Sequence, residues 1–362
     1  MALQRKELVV TVAAGLILCL PFTAFARREV LTSEQKARLQ KIQRVYVEAL
    51  ALTDQGQVDA KPITEVVVRK LRALGYELSM DVAQPHDVEF KVKCEQRKVW
   101  EGTIRSGGDA DLPDSPHRTW RGPACQLTYL ASGQSTGWKK EVRTEFVDAN
   151  KAAADAKAGD PGAYALEQLR GRLEEYDFPV FVTADWGQDE RLIALLRESG
   201  LPSSRKANII RVLGEMFSEK AAPYLLESLS DRDPEVAGAT AIALGNIGHQ
   251  GSVTALVHLL NNGQGQSKLH AARALGKIGA LHGDASIIPP LLEALNTDDL
   301  ALKTEVVWAL GQIPDRRAYE PLTALQRSLR NMRTSDRSSQ EAKLWDAVSY
   351  CLKQLDGFDQ IN

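Results

Sequence analysis

The segment Gly107-Gly-Asp-Ala-Asp-Leu-Pro-Asp-Ser-Pro-His117 gathers three carboxylates and an imidazole in eleven residues. Asp109, Asp111, Asp114 and His117 could converge on a hard cation such as Ca²⁺, which takes several oxygen ligands. The fixed glycine and distal glutamate of a helix–loop–helix calcium site are missing, so no metal is assigned. Trp100 and Trp120 flank the segment and could clamp it. It is therefore read as a candidate ligand loop. The plainer alternative is a compact surface loop pinned by its own aromatics and prolines.

Gly133-Gln-Ser-Thr-Gly137 fits the G-x-S-x-G pattern of a hydrolase nucleophile. That chemistry needs a strand before the serine and a helix after it, so that the hydroxyl stands on a sharp turn. Here Trp138-Lys-Lys-Glu-Val-Arg-Thr-Glu-Phe146 follows, and it alternates like a strand. The motif is then expected to be the turn of a hairpin. No H-E-x-x-H, C-x-x-C or phosphate-cradling glycine loop occurs, and the six histidines are scattered. No catalytic residue and no cofactor are expected.

Cys94 ends Val88-Glu-Phe-Lys-Val-Lys-Cys94, and Cys125 opens Cys-Gln-Leu-Thr-Tyr129. Both segments alternate apolar with polar, which puts each cysteine on the apolar face of a strand. A Cys94–Cys125 disulfide is the favoured reading, with two buried free thiols as the alternative. Cys351 falls in a helical stretch and is expected in a core.

Several elements must position these groups. Thr32 can cap a short helix to about Gln40, and residues 45–52 read as a strand. Pro62 opens a helix that Gly75 stops. A strand follows near 76–81, then the long alternating strand 88–99, a loop over roughly 101–123, and a hairpin from 125–130 to 138–147. Residues 27–150 are thus an α+β domain, which no motif assigns to a family. An Ala-, Asp- and Gly-rich stretch follows, and 151–189 reads as a helical linker region beginning its helix at Pro161.

The N-terminus carries an address. Arg5 and Lys6 precede the apolar run Leu8–Leu20, and Ala24-Phe25-Ala26 is a small-x-small cleavage signature. Residues 1–26 are read as a Sec-type signal peptide cleaved after Ala26, giving a periplasmic or secreted protein. One alternative is an uncleaved anchor, since Leu8–Ala26 is close to the ~20 residues that span a bilayer. The other is lipidation of Cys19, which the bulky Leu18 before it disfavours.

From 190 to 362 the chain repeats itself. Val212-Leu-Gly214, Ala243-Leu-Gly245, Ala274-Leu-Gly276 and Ala309-Leu-Gly311 recur at spacings of 31, 31 and 35 residues. A Leu-rich helix start lies ahead of each, with Pro223, Pro290 and Pro321 where a first turn tolerates a missing donor. Two helices per repeat are expected: a Leu-striped first helix, and an Ala-rich second helix whose glycine acts as a C-terminal stop. No pair hides its own apolar flank, so pairs must stack.

Asp233-Pro-Glu-Val236 with Ala243-Leu-Gly-Asn-Ile-Gly248, and Ala271-Ala-Arg-Ala-Leu-Gly-Lys-Ile-Gly279, resemble the HEAT-like repeats first grouped with phycobilisome lyases. The resemblance covers about 190–355 and implies an armadillo-type α-solenoid of HEAT-type helix pairs used for macromolecular contact. The chain departs from the family where an arginine often stands eight residues before the glycine: Lys206, Ala237, Lys268 and Lys303 occupy those places. The inter-repeat Asp–Arg ladder is therefore in question. The last unit is irregular and reads as a capping pair, with Arg327, Arg330, Arg333 and Arg337 in a polar connector.

Positions three before and one after each repeat glycine share one helix face. They carry Arg211, Ile242, Arg273 and Trp308, and then Glu215, Asn246, Lys277 and Gln312. If that face is concave, Arg211, Arg273, Lys277 and Trp308 form a cationic and aromatic strip, and arginine and tryptophan are typical interface anchors. The alternative is that the terminal cap covers Trp308. A net charge of −2 argues against a nucleic-acid partner, which usually shows as a basic excess. The expected function is an exported scaffold or adaptor that binds a protein, touching membrane only if the N-terminal segment is retained. The alternatives are an enzyme of the lyase or hydrolase type and a membrane-anchored envelope structural protein.

Overall fold

The computed structural model describes residues 32–102, 118–330 and 338–358. The leader read over 1–26, the loop residues Asp109, Asp111, Asp114 and His117, and Arg333 and Arg337 lie outside them.

Helix α1 (Ser33–Leu39) starts in a reciprocal capping box. The Gln35 backbone N–H donates to Thr32 Oγ1 at 3.2 Å, and the Thr32 N–H donates to Gln35 Oε1 at 2.8 Å. Strands β1 (Arg44–Thr53) and β2 (Gly56–Val58) form a hairpin. Helix α2 (Lys61–Arg72) crosses to β3 (Glu77–Ser79) and β4 (Val88–Gly102), both parallel to β1. Strands β5 (Arg118–Ala131) and β6 (Gln134–Arg143) follow antiparallel, so the sheet runs β2-β1-β4-β5-β6 with β3 beside β1. One face is apolar: Val45, Val47, Phe90, Val92, Leu127 and Tyr129 are all buried. The alternation written in the sequence puts Glu48, Lys91 and Lys93 on the opposite face, where Lys91 bridges Glu48 at 3.0 Å. The apolar face is covered by α2 and by α4 (Pro161–Glu175), which follows α3 (Ala149–Asp155).

Two expectations change here. Residues 101–102 and 118–123, placed in a loop, are strand instead: β5 begins at Arg118 and pairs with β4 out to Gly102. The hairpin turn is Ser132-Gly133, and Ser135 stands inside β6. Both residues of the turn have positive φ, which fits the twist of a tight hairpin.

The rest of the chain is helical. After α5 (Phe178–Asp185), first helices α6 (Asp189–Leu196), α8 (Ala222–Ser228), α10 (Val253–Asn262), α12 (Ile288–Ala294) and α14 (Tyr319–Arg330) alternate with second helices. The second helices are α7 (Ser203–Glu215), α9 (Pro234–Ile247), α11 (Gln266–His282), α13 (Leu300–Gln312) and α15 (Ser339–Phe358). Each second helix lies directly against the next, whereas the first helices scarcely meet one another. The stack is thus tight along one row and splayed along the other, which sets the second helices on its inner side.

The repeat glycines do not stop their helices. Gly214, Gly245, Gly276 and Gly311 lie within helical spans, each packed on the following second helix. Helices α9 and α11 end instead on left-handed Gly248 and Gly283.

The sheet and the helices share one continuous core. Trp186, 1% exposed, meets Tyr76 and Tyr129 edge-on at centroid distances of 5.1 and 5.6 Å. Tyr129 Oη donates to Asp185 Oδ2 at 2.6 Å, and Gln188 Nε2 donates to the carbonyls of Leu39 and Ile42 at 3.0 and 2.9 Å.

Candidate functional site

The inner row brings the four chosen residues onto one side of the stack. In α7, Arg211 donates to Asn208 Oδ1 at 2.8 Å and reaches Glu235 of α9 at 3.4 Å. In α11, Arg273 forks onto Glu305 of α13 with contacts of 2.6 and 3.1 Å. Lys277, one turn further, donates to Asn246 Oδ1 of α9 at 2.8 Å. Trp308 of α13 lies half-buried against Tyr350 of the capping helix α15, with ring centroids 5.3 Å apart. The cap therefore supports Trp308 without covering it fully, and Tyr350 itself remains 53% exposed.

Every one of these side chains reaches from its own helix to a neighbour. The strip is a set of lateral rungs, held in place before anything docks. Glu305 and Tyr350 belong to it and were missed in the sequence. Glu305 sits three residues before Trp308, so the same helical spacing could have found it.

The electrostatics of the strip are uneven. Arg273 is neutralised by Glu305, but among the described residues no carboxylate stands within ion-pair distance of Lys277. Burial and then the Arg273 guanidinium hold the Lys277 ammonium below the usual lysine range. His270, one turn before Arg273, is also shifted down, chiefly by burial and then by Arg273. Its Nδ1 is buried without a hydrogen-bond partner, packed over Gly238 of α9.

The ladder questioned from the sequence survives in one rung, where Lys206 Nζ binds Asp231 Oδ2 at 2.6 Å in place of an arginine. Trp100 and Trp120 are directly opposite each other across β4 and β5. Cys94 and Cys125, also opposite in register, are joined in a buried disulfide. Ser135, the second residue of β6, is followed by strand and not by a helix. Among the described residues no group of three or more His, Cys, Asp or Glu is placed to hold a metal ion. No helix among them is long and apolar enough to cross a membrane.

A sheet followed by a stack of paired helices, tight along its inner row, defines an α-solenoid of the HEAT and armadillo type. The family model of HEAT repeats matches residues 190–276 and 265–335, and this part of the chain is built of HEAT repeats. A repeat fold of this kind suggests a protein-interaction scaffold. The chain is similar to a designed armadillo repeat protein in complex with the peptide (KR)4, at 17% identity over 52% of this chain and 94% of that one, TM-score 0.39. It is similar to an engineered protein at 22% identity over 50% and 84%, TM-score 0.38. It is also similar to the complex of CpcE and CpcF of phycocyanin lyase from Nostoc sp. PCC7120, at 20% identity over 59% and 96%, TM-score 0.28. No curated protein matches the chain.

Proposed function

We propose that this protein is an exported scaffold that grips a protein partner along the inner row of its second helices. The observation that carries the reading is the strip from Arg211 through Ile242, Arg273 and Lys277 to Trp308 and Tyr350. Its members come from five consecutive inner helices, and its charged and aromatic side chains are cross-braced. Braced side chains lose little rotamer freedom on docking, which lowers the cost of association. The sheet domain is a rigid continuation of the same core and adds a second surface. The leader-like N-terminus supports export, and so does a buried disulfide, a bond that persists in oxidising compartments.

The test is photo-crosslinking from Ile242 in the native envelope, followed by mapping of the crosslinked half. The double variant Trp308→Ala with Arg273→Glu should lose the crosslinked partner while its far-ultraviolet spectrum is unchanged. Retention of the partner by that variant would remove the inner row from the function. A mature chain whose sequenced N-terminus is Met1 would remove export and leave the scaffold role standing.

A further inference from the structure

The inner strip also constrains what kind of chain it can take, an inference that rests on the scaffold reading above. Among the described residues Lys277 has one polar partner, the neutral amide oxygen Asn246 Oδ1 at 2.8 Å. It stands one helical turn from a second cation, Arg273, whose own charge is met by Glu305. On either side of α11 the positions corresponding to Arg273 are apolar, Ile242 on α9 and Trp308 on α13, while those corresponding to Lys277 are the polar Asn246 and Gln312. One turn beyond Lys277, Leu281 is 65% exposed. The sequence of surfaces across three helices is thus apolar, cationic, aromatic.

We propose that this strip binds an extended, acidic segment of its partner, with one carboxylate seated on Lys277 and apolar side chains against Ile242 and Trp308. Charge complementarity sets the sign, since a carboxylate there would meet Lys277, which among the described residues no carboxylate reaches. Helix spacing sets the pattern. Packed helices lie ~8–10 Å apart, and an extended chain advances ~3.3 Å per residue. About three residues therefore separate each contact, which specifies an apolar residue, an acid three residues on, and another apolar or aromatic residue three further. The rungs Lys277–Asn246 and Arg273–Glu305 hold the cations toward this track and away from the core.

The experiment uses the full chain and two fluorescent twelve-residue peptides that differ only in charge. One repeats Leu-Ser-Ser-Glu-Ser-Ser; the other carries Lys in place of Glu. Anisotropy should show the acidic peptide binding about tenfold more tightly than the basic one, a preference that fades with added salt. Lys277→Ala should weaken the acidic peptide about fivefold, the loss expected of one partly desolvated ion pair. Lys277→Glu should reverse the preference, and Arg232→Ala, on an outer loop, should change nothing. Equal binding of the two peptides, no binding of either, or indifference to Lys277→Glu each overturns the proposal. A crosslink from Ile242 to a basic segment of the native partner would overturn it too while leaving the scaffold reading intact. Absence of any inner-row crosslink would sink the scaffold reading itself.

Discussion

Gly245 of α9 faces Ala274 of α11 so closely that a Cβ on the glycine would lie 2.8 Å from the Ala274 Cα and 2.9 Å from its Cβ. The relation repeats up the stack. A Cβ added to Gly214 would lie 2.6 Å from the Ala243 Cα, one on Gly276 would lie 2.7 Å from the Ala309 Cα, and one on Gly311 would collide with the Cys351 sulfur. Each repeat offers a glycine to the next helix, and the missing side chain is what lets the inner row close. A glycine inside a helix normally costs about 0.5–1 kcal/mol relative to alanine. Here the close approach outweighs that cost. Gly245→Ala should therefore destabilise by about 1–3 kcal/mol, since the atoms in the way are backbone and cannot yield. Gly171→Ala is the control, because that glycine of α4 has nothing within 4 Å of the added methyl. It should stabilise by about 0.5–1 kcal/mol. Urea unfolding of the two variants checks the opposite signs, and equal effects would refute the packing role.

Phe217 ends α7 with φ of +54°, three residues after Gly214, where α9 has left-handed Gly248 at the equivalent place. The ring is 66% exposed, so it gains little burial for the strain of this backbone. A non-glycine residue in the left-handed region costs about 1–2 kcal/mol. Phe217→Gly should raise stability by about 1 kcal/mol after the glycine's greater unfolded-state freedom is subtracted. A lowered denaturation midpoint would mean that Phe217 makes an anchoring contact.

The Cys94–Cys125 bridge joins β4 to β5 in the middle of the sheet and closes a loop with a sequence separation of 31 residues. Replacing both cysteines with alanine should cost about 2–4 kcal/mol, chiefly by freeing the unfolded chain. Mass mapping of the non-reduced protein should find Cys94 and Cys125 in one linked peptide pair. Cys351 should stay unmodified by alkylating agents until the fold is lost, because it is 1% exposed and burial pushes its thiol up to about 12.

Alkaline pH should weaken the junction between sheet and helices. Tyr76 Oη donates to Gln188 Oε1 at 3.0 Å and lies 3.0 Å from the Thr183 hydroxyl. Burial pushes its pKa from 10.0 up to about 12. The unfolded chain gives up this proton first, so above pH ~10 it binds fewer protons than the native state and stability falls as pH rises. The contribution present below pH ~10 is lost progressively up to about 12. Denaturant midpoints at pH 9, 10.5 and 11.5 should fall more steeply for the native protein than for Tyr76→Phe. Parallel slopes would show that this phenol does not report the junction.

Local periodicity by itself determined the two-part architecture. Alternation through 88–94 and 125–129 placed Cys94 and Cys125 on inward faces, and pairing in register then brought them together. The recurring apolar-Leu-Gly triplets set the helix pairs, and the i, i+4 rule put Arg273 and Lys277 on one face. Other features were decided only by the tertiary structure, because they depend on which element lies alongside which. A glycine that ends a helix and a glycine that admits a neighbouring backbone look alike in one dimension, and only the approach of Ala274 distinguishes Gly245. The fork of Arg273 onto Glu305 spans 32 residues and exists because α11 and α13 lie side by side. The burial of Trp308 was set by Tyr350, which the capping helix places against the inner row.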